Sequence, residues 1–298
     1  FGFRAYLSKD SANAPFNFQF VLDSLASKNS EEPSKINMNI GSLIIRNGLI
    51  CYDQKDHPKE HGKFSAKHIK VSDISSHIIL NKITQDSINL HVKSLSLKEE
   101  SGLAISLLSF KTVATKNSAS VSDFELKLPN SHVFLGDTKA KYRIDEGKLV
   151  MSSLDFSTSI NKSYISPADL TSFSPDLRVI SRPIDISLKA NGHGENINIK
   201  DLVVKDQSGE MSIFASGYIY DMPLLKDWRT DIKYLRINQN YIERLAKVMK
   251  GEDITMPDVI ERIGDFGYVG SVSSRNSKIS AKVVSGVILE SLVTKPAL

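Results

Sequence analysis

Residues 87–135 read SINLHVKSLSLKEESGLAISLLSFKTVATKNSASVSDFELKLPNSHVFL. Taken in twos, Ile88, Leu90 and Val92 fall on one side, and Asn89, His91 and Lys93 on the other. After Glu99-Glu100-Ser101-Gly102 the alternation resumes at Leu103, Ile105 and Leu107. It returns at Phe124, Leu126 and Leu128, then at Val133 and Leu135. Successive strand side chains point to opposite faces, so this period of two predicts a sheet with one apolar and one wet face. Nothing in the stretch has the chemistry of a reaction centre.

The same grammar runs outward in both directions. Upstream, Ile36, Met38 and Ile40 alternate, and Asn47-Gly48 reads as a hairpin turn because both residues tolerate positive φ. The expected return strand is Leu49–Asp53, followed by a polar tip at 54–62 and a strand at 63–71. Downstream, Ile184, Ile186, Leu188 and Ala190 alternate and close at Asn191-Gly192. Turn signals recur about every ten residues, which predicts an antiparallel meander, sandwich or barrel-like sheet of roughly fourteen to eighteen strands. Strands never alternate with long helices, so a parallel βαβ sheet is disfavoured. The expected fold class is mostly β, a long curved antiparallel sheet with a few short helical insertions.

Four stretches depart from period two. Phe18, Val21, Leu22 and Leu25 are spaced as in a helix over 17–27, so 1–35 is read as an N-terminal helical and loop segment. Residues 36–298 then form one extended β domain. Ser166-Pro167 with Asp169 reads as a helix start near 167–177. Ile242, Leu245, Ala246 and Met249 before Gly251 predict an amphipathic helix, and Thr255-Met256-Pro257-Asp258 starts another, giving insertions over 240–263. The first carries Arg244, Lys247 and Lys250 away from most of its apolar side and is expected to cap the apolar face of the sheet, contact with anionic lipid heads being the alternative.

With 38 basic and 34 acidic side chains the net charge is +4, too small and dispersed for nucleic acid. One cysteine, Cys51, excludes an internal disulfide framework. No apolar run approaches the ~20 residues of a membrane helix. The chain starts at Phe1 without a basic and apolar leader, so it is expected to be a piece of a longer protein. His57-Pro58-Lys59-Glu60-His61 matches H-x-x-E-H, a zinc-protease pattern. Zinc chemistry needs a helix there, and Pro58 and Gly62 in a polar tip oppose one. No nucleotide-binding glycine motif or nucleophile elbow is present. No enzymatic activity, metal or cofactor is therefore expected.

The phrase IGSLIIRNGLICYD (40–53) resembles the strand, Asn-Gly, strand, Tyr-Asp unit of AsmA-like proteins. GKFSAKHIKVSDISSHIIL with SLSLKEESGLAISLLSF and FELKLPNSHVFL is similar to the TamB-type translocation and assembly module proteins of Bacteroides-like Gram-negative bacteria. The likeness is best over residues 16–142. It implies a periplasmic segment anchored to the inner membrane by a part outside this chain, with its sheet curled into a taco-like apolar groove. It further implies phospholipid transport between membranes, outer-membrane assembly and protein secretion, and an outer-membrane barrel protein as partner. The family offers no catalytic residue. Groove-lining candidates are Ile88, Leu90, Val92, Leu103, Ile105, Leu107, Phe124, Leu126, Leu128, Ile184, Ile186 and Leu188. Two other readings stay open. One is a structural β scaffold or protein-interaction module with a closed core and no lipid role; the other is an enzyme using the 54–62 loop.

Overall fold

The computed structural model describes residues 2–19, 37–38, 41–59, 62–84, 86–222, 224–250 and 265–289, with backbone alone for 37–38, 246–250 and 285–289. The chain is mostly β, with few and short helices. It divides into two compact units, and the expected β span of 36–298 contributes to both.

The first unit is Phe1–His132 with Asp169–Pro175. It holds β1 (Gly2–Lys9), β2 (Asn37–Met38), β3 (Leu43–Gln54), β4 (His68–Thr84), β5 (Ser87–Glu99), β6 (Ala104–Thr115) and β7 (Ser118–Lys127). From β3 to β7 the strands pair antiparallel in chain order, as a hairpin meander requires. β1 departs from expectation. Its residues lie in the segment expected to be helix and loop, yet they form a strand parallel to β3, with Ala5 beside Ile50 and Leu7 beside Tyr52. Phe3, Ala5 and Leu7 alternate with Arg4, Tyr6 and Ser8, the signal of a strand. The long connection 10–42 gives the chain room to re-enter in the same direction. The helix expected at 17–27 lies almost wholly outside the described residues.

The second unit is Val133–Ala168 with Asp176–Leu298. Its strands are β8 (His132–Leu135, whose first residue belongs to the first unit), β9 (Thr138–Asp145), β10 (Lys148–Ile165), β11 (Ile184–His193), β12 (Asn196–Asp206), β13 (Met211–Ile219), β14 (Trp228–Ile237), β15 (Asp265–Arg275) and β16 (Lys278–Leu289). From β10 to β16 every neighbour pair is antiparallel, and β9 pairs β10. The insertion expected near 167–177 is two 3₁₀ turns, Pro167–Leu170 and Pro175–Val179. Helix α1 covers Gln239–Lys250; the helix expected from Thr255 lies outside the described residues.

The strands run longer than the turn signals suggested, because not every signal turns the chain. Asn47-Gly48 does not turn the chain; both residues lie inside β3, where the register against β4 shifts. Asn47 takes φ 58°, and a Cβ on Gly48 would meet Ile74 Cβ at 3.1 Å. Asn191-Gly192 is likewise interior to β11, and the turn follows at Gly194, φ 59°. A bulge adds a residue without ending the strand, and it bends the strand and raises its twist. Gly217 in β13 is fixed for another reason: a Cβ there would sit 2.5 Å from the Arg229 carbonyl oxygen of β14. Backbone cannot swing aside like a side chain, so Gly217→Ala is expected to cost about 1–3 kcal/mol, read as a lower urea midpoint.

Candidate functional site

In an antiparallel pair, residues directly opposite share a face. Register therefore sorts every side chain of the first unit. Ile88 is opposite Ile83 and Ala114, Leu90 opposite Leu80, and Val92 opposite Ile78 and Phe110. Beyond a shift in β5, Leu95 faces Leu108, and Leu97 faces Ile105. Leu108 faces Leu126 across to β7. Phe110 and Phe124 stack with centroids 6.3 Å apart and an interplanar angle of 29°. Alternation places Leu103 with Ile105, and Leu128 with Leu126. Eight of the nine candidates from this unit, from Ile88 to Leu128, thus gather on one apolar face.

Leu107 is the exception. It is opposite Lys127, on the polar face. Between Ile105 and Leu108, β6 takes three steps while β5 takes two, and the extra residue flips the phase. Leu108 fills the position that simple alternation gave to Leu107. The doublet Leu107-Leu108 is the trace of this in the sequence, since a phase change puts two apolar residues side by side. Leu95, Leu97, Leu108 and Phe110 belong to the face and were missed for the same reason.

How much covers this face decides what it can do. In a two-layer β protein the inward side chains are almost fully buried. Here, among the described residues of the first unit, the only buried hydrophobics are Ile74 at 7% and Val92 at 6% exposure. Ile88 is 42% and Leu43 43% exposed, and the other face residues are half-buried. Strand neighbours shield their flanks; no described element forms a second layer over them. The recess of about 220 Å³ lined by Asn89, His91 and Lys111 is on the polar side instead. Burial, and then the Lys111 charge, hold the His91 imidazole below its ordinary pKa.

The second unit builds a similar face and closes part of it. Ile186 faces Val204, and Leu188 faces Ile160 and Leu202. Ile184, from the same set, is packed into a small core of Ile180, Met211 and Tyr241 with Val204, Ile213, Ile237 and Leu245. Ile184 is thus covered core rather than open lining. The lid is α1 together with the turn Pro175–Val179. Asn238 caps the helix: its Oδ1 accepts the Tyr241 N–H at 2.9 Å. Arg244 pairs with Glu210, which also accepts from Asn238 Nδ2 at 3.3 Å. Burial opposes ionisation of Glu210, but the hydrogen bonds from Ser208, Asn238 and Arg244 outweigh it and hold its pKa below the usual range. Tyr241 anchors the lid at 1% exposure, and burial pushes its phenol up to about 12. Sequence spacing pointed to Ile242 and Leu245 and passed over Tyr241. A recess of about 410 Å³ lined by Lys162, Asp185, Ser187, Val203 and Lys205 opens on the polar side of this unit.

Polar chemistry is dispersed. Glu60 and His61 lie outside the described residues, and no group of three His, Cys, Asp or Glu could hold a metal ion among those described. Histidines pair singly with carboxylates: His68 with Asp53 at 2.7 Å, His132 with Glu125 at 2.7 Å and His193 with Asp155 at 2.6 Å. Cys51 is half-buried on β3, opposite Lys70. The hydrogen bond from Lys127, then that from His132, lowers the Glu125 pKa from its ordinary 4.5. A depressed folded-state pKa stabilises fully above the unfolded value and is lost as pH falls through the folded one. Glu125→Gln is therefore expected to lower the urea midpoint most above pH 4.5, with the gap to the parent narrowing in more acidic buffer. No protein-family model matches this chain, and no curated protein or solved structure matches it significantly.

Proposed function

We propose that this chain is a non-enzymatic segment that shields lipid acyl chains on their way between the membranes of a Gram-negative envelope, in the manner of AsmA- and TamB-like proteins. A periplasmic location, an inner-membrane anchor beyond this chain, an outer-membrane barrel partner and a role in outer-membrane assembly belong to the same proposal. The observation that carries it is the apolar face of β3–β7, aligned across five strands and left without an opposing layer among the described residues. Soluble proteins rarely expose contiguous apolar patches beyond a few hundred Å² unless something binds there. Acyl chains suit such a surface because they need burial and no hydrogen bonds. A diacyl lipid carries about thirty methylenes at ~0.8 kcal/mol each, so crossing water unshielded costs on the order of 20 kcal/mol. An apolar sheet face removes part of that cost, and its polar reverse keeps the carrier in solution.

The test is mass spectrometry of lipid co-purified with the chain, paired with capture of a fluorescent phospholipid from vesicles. Phospholipid above the level of a control protein, with saturable capture, supports the reading. Neither signal from a folded sample leaves an all-β scaffold.

A further inference from the structure

The terminal strands of the two units treat their free edges differently. The outer edge of β1 is occupied by one side chain. Asn17 Nδ2 donates to the Tyr6 carbonyl at 2.9 Å, and the Ser8 N–H donates to Asn17 Oδ1 at 3.0 Å. The Asn17 N–H donates in turn to the Ser8 carbonyl at 2.9 Å. This side chain satisfies the groups another strand would use, a common protection of sheet edges. β16 has no such cover among the described residues: it pairs β15 on one side and is the last strand in the order. It contains no proline and no acid. Ile279 and Val283, 73% and 59% exposed, stand opposite Ser274 and Gly270 on the apolar side. On the polar side Lys278 is opposite Arg275, and Lys282 opposite Ser271. Arg275, Lys278 and Lys282 have no carboxylate partner among the described residues, unlike Lys70, Lys98, Lys111, Arg229 and Arg236.

We infer that the outer edge of β16 is a docking site for an extended acidic peptide strand, one alternating aliphatic residues with Asp or Glu. Backbone hydrogen bonds of the free edge supply pairing, as in other strand additions. The aliphatic side chains extend the row of Ile279 and Val283, and the acids meet the three cations. A second copy is disfavoured, because β16 paired with itself sets lysine near lysine. The inference is independent of the lipid reading.

The experiment uses the full chain and a labelled peptide of about ten residues, the upper range of a strand, alternating Val and Glu. The expected result is saturable binding by anisotropy, slowed amide exchange in β16, and no binding of the matching Val/Lys peptide. Lys278→Glu with Lys282→Glu is expected to weaken binding about tenfold while circular dichroism is unchanged. N-methylation along one peptide edge, which leaves side chains intact, is expected to abolish it. Equal binding of the N-methylated peptide overturns the inference, since charge alone then accounts for it. So does β16 exchange that is already as slow as in β15, or that slows with protein concentration alone: the edge is then taken by this chain or by a copy.

Discussion

Glutamate at Leu126 or at Ile105 is expected to reduce acyl-chain capture about a hundredfold, equivalent to ~2.7 kcal/mol. Leu126 lies directly across from Leu108, and Ile105 from Leu97, both on the apolar face. In the lipid-free protein a carboxylate there still reaches water, because no described element forms a layer over it. Once hydrocarbon lies on the face, that carboxylate loses water and gains no partner, at a cost of several kcal/mol. The control is Leu107→Glu, one residue from Leu108 but opposite Lys127. It is expected to leave capture within about twofold, as surface substitutions generally do. The three variants, measured by phospholipid capture and checked by circular dichroism, separate a lipid-facing surface from general loss of hydrophobicity. Equal loss at Leu107 and Leu126 would contradict the assignment of faces, and no loss at any of them would end the lipid proposal.

Tyr241→Ala is expected to cost about 3–5 kcal/mol, the range for emptying a buried aromatic site. Tyr241 is the most buried large side chain of the described residues and joins α1 to Ile180 and Met211. Its loss leaves a cavity under the lid and uncovers Ile184. Tyr241→Phe works in the opposite direction. The hydroxyl is buried without a hydrogen-bond partner among the described residues, so it carries a desolvation cost that Phe lacks. Phe is expected to match or raise the urea midpoint, and Ala to lower it sharply and to expose α1 to protease. A fall with Phe comparable to that with Ala would show that the hydroxyl, rather than the ring, holds the lid.

Much of the face was legible before any coordinates. Eight of the nine candidates from the first unit share a surface because alternation is local and survives wherever pairing stays in phase. Leu107 failed where a bulge inserted a step, and Asn47-Gly48 failed where residues that favour a turn made a bulge instead. Turn chemistry announces positive φ, and a turn and a bulge both use it; only the partner strand distinguishes them. The strand at Gly2–Lys9 was missed because its parallel mate, β3, is distant in sequence.

The amino-acid order alone determined that this is a β protein with one water-avoiding side to its strands, since that follows from which way neighbouring side chains point. The tertiary structure decided what lies over that side. In the first unit no described strand or helix lies over it, and in the second Tyr241 and α1 close one part. Cover depends on contacts between residues such as Ile180 and Tyr241, far apart in sequence, which no local periodicity encodes.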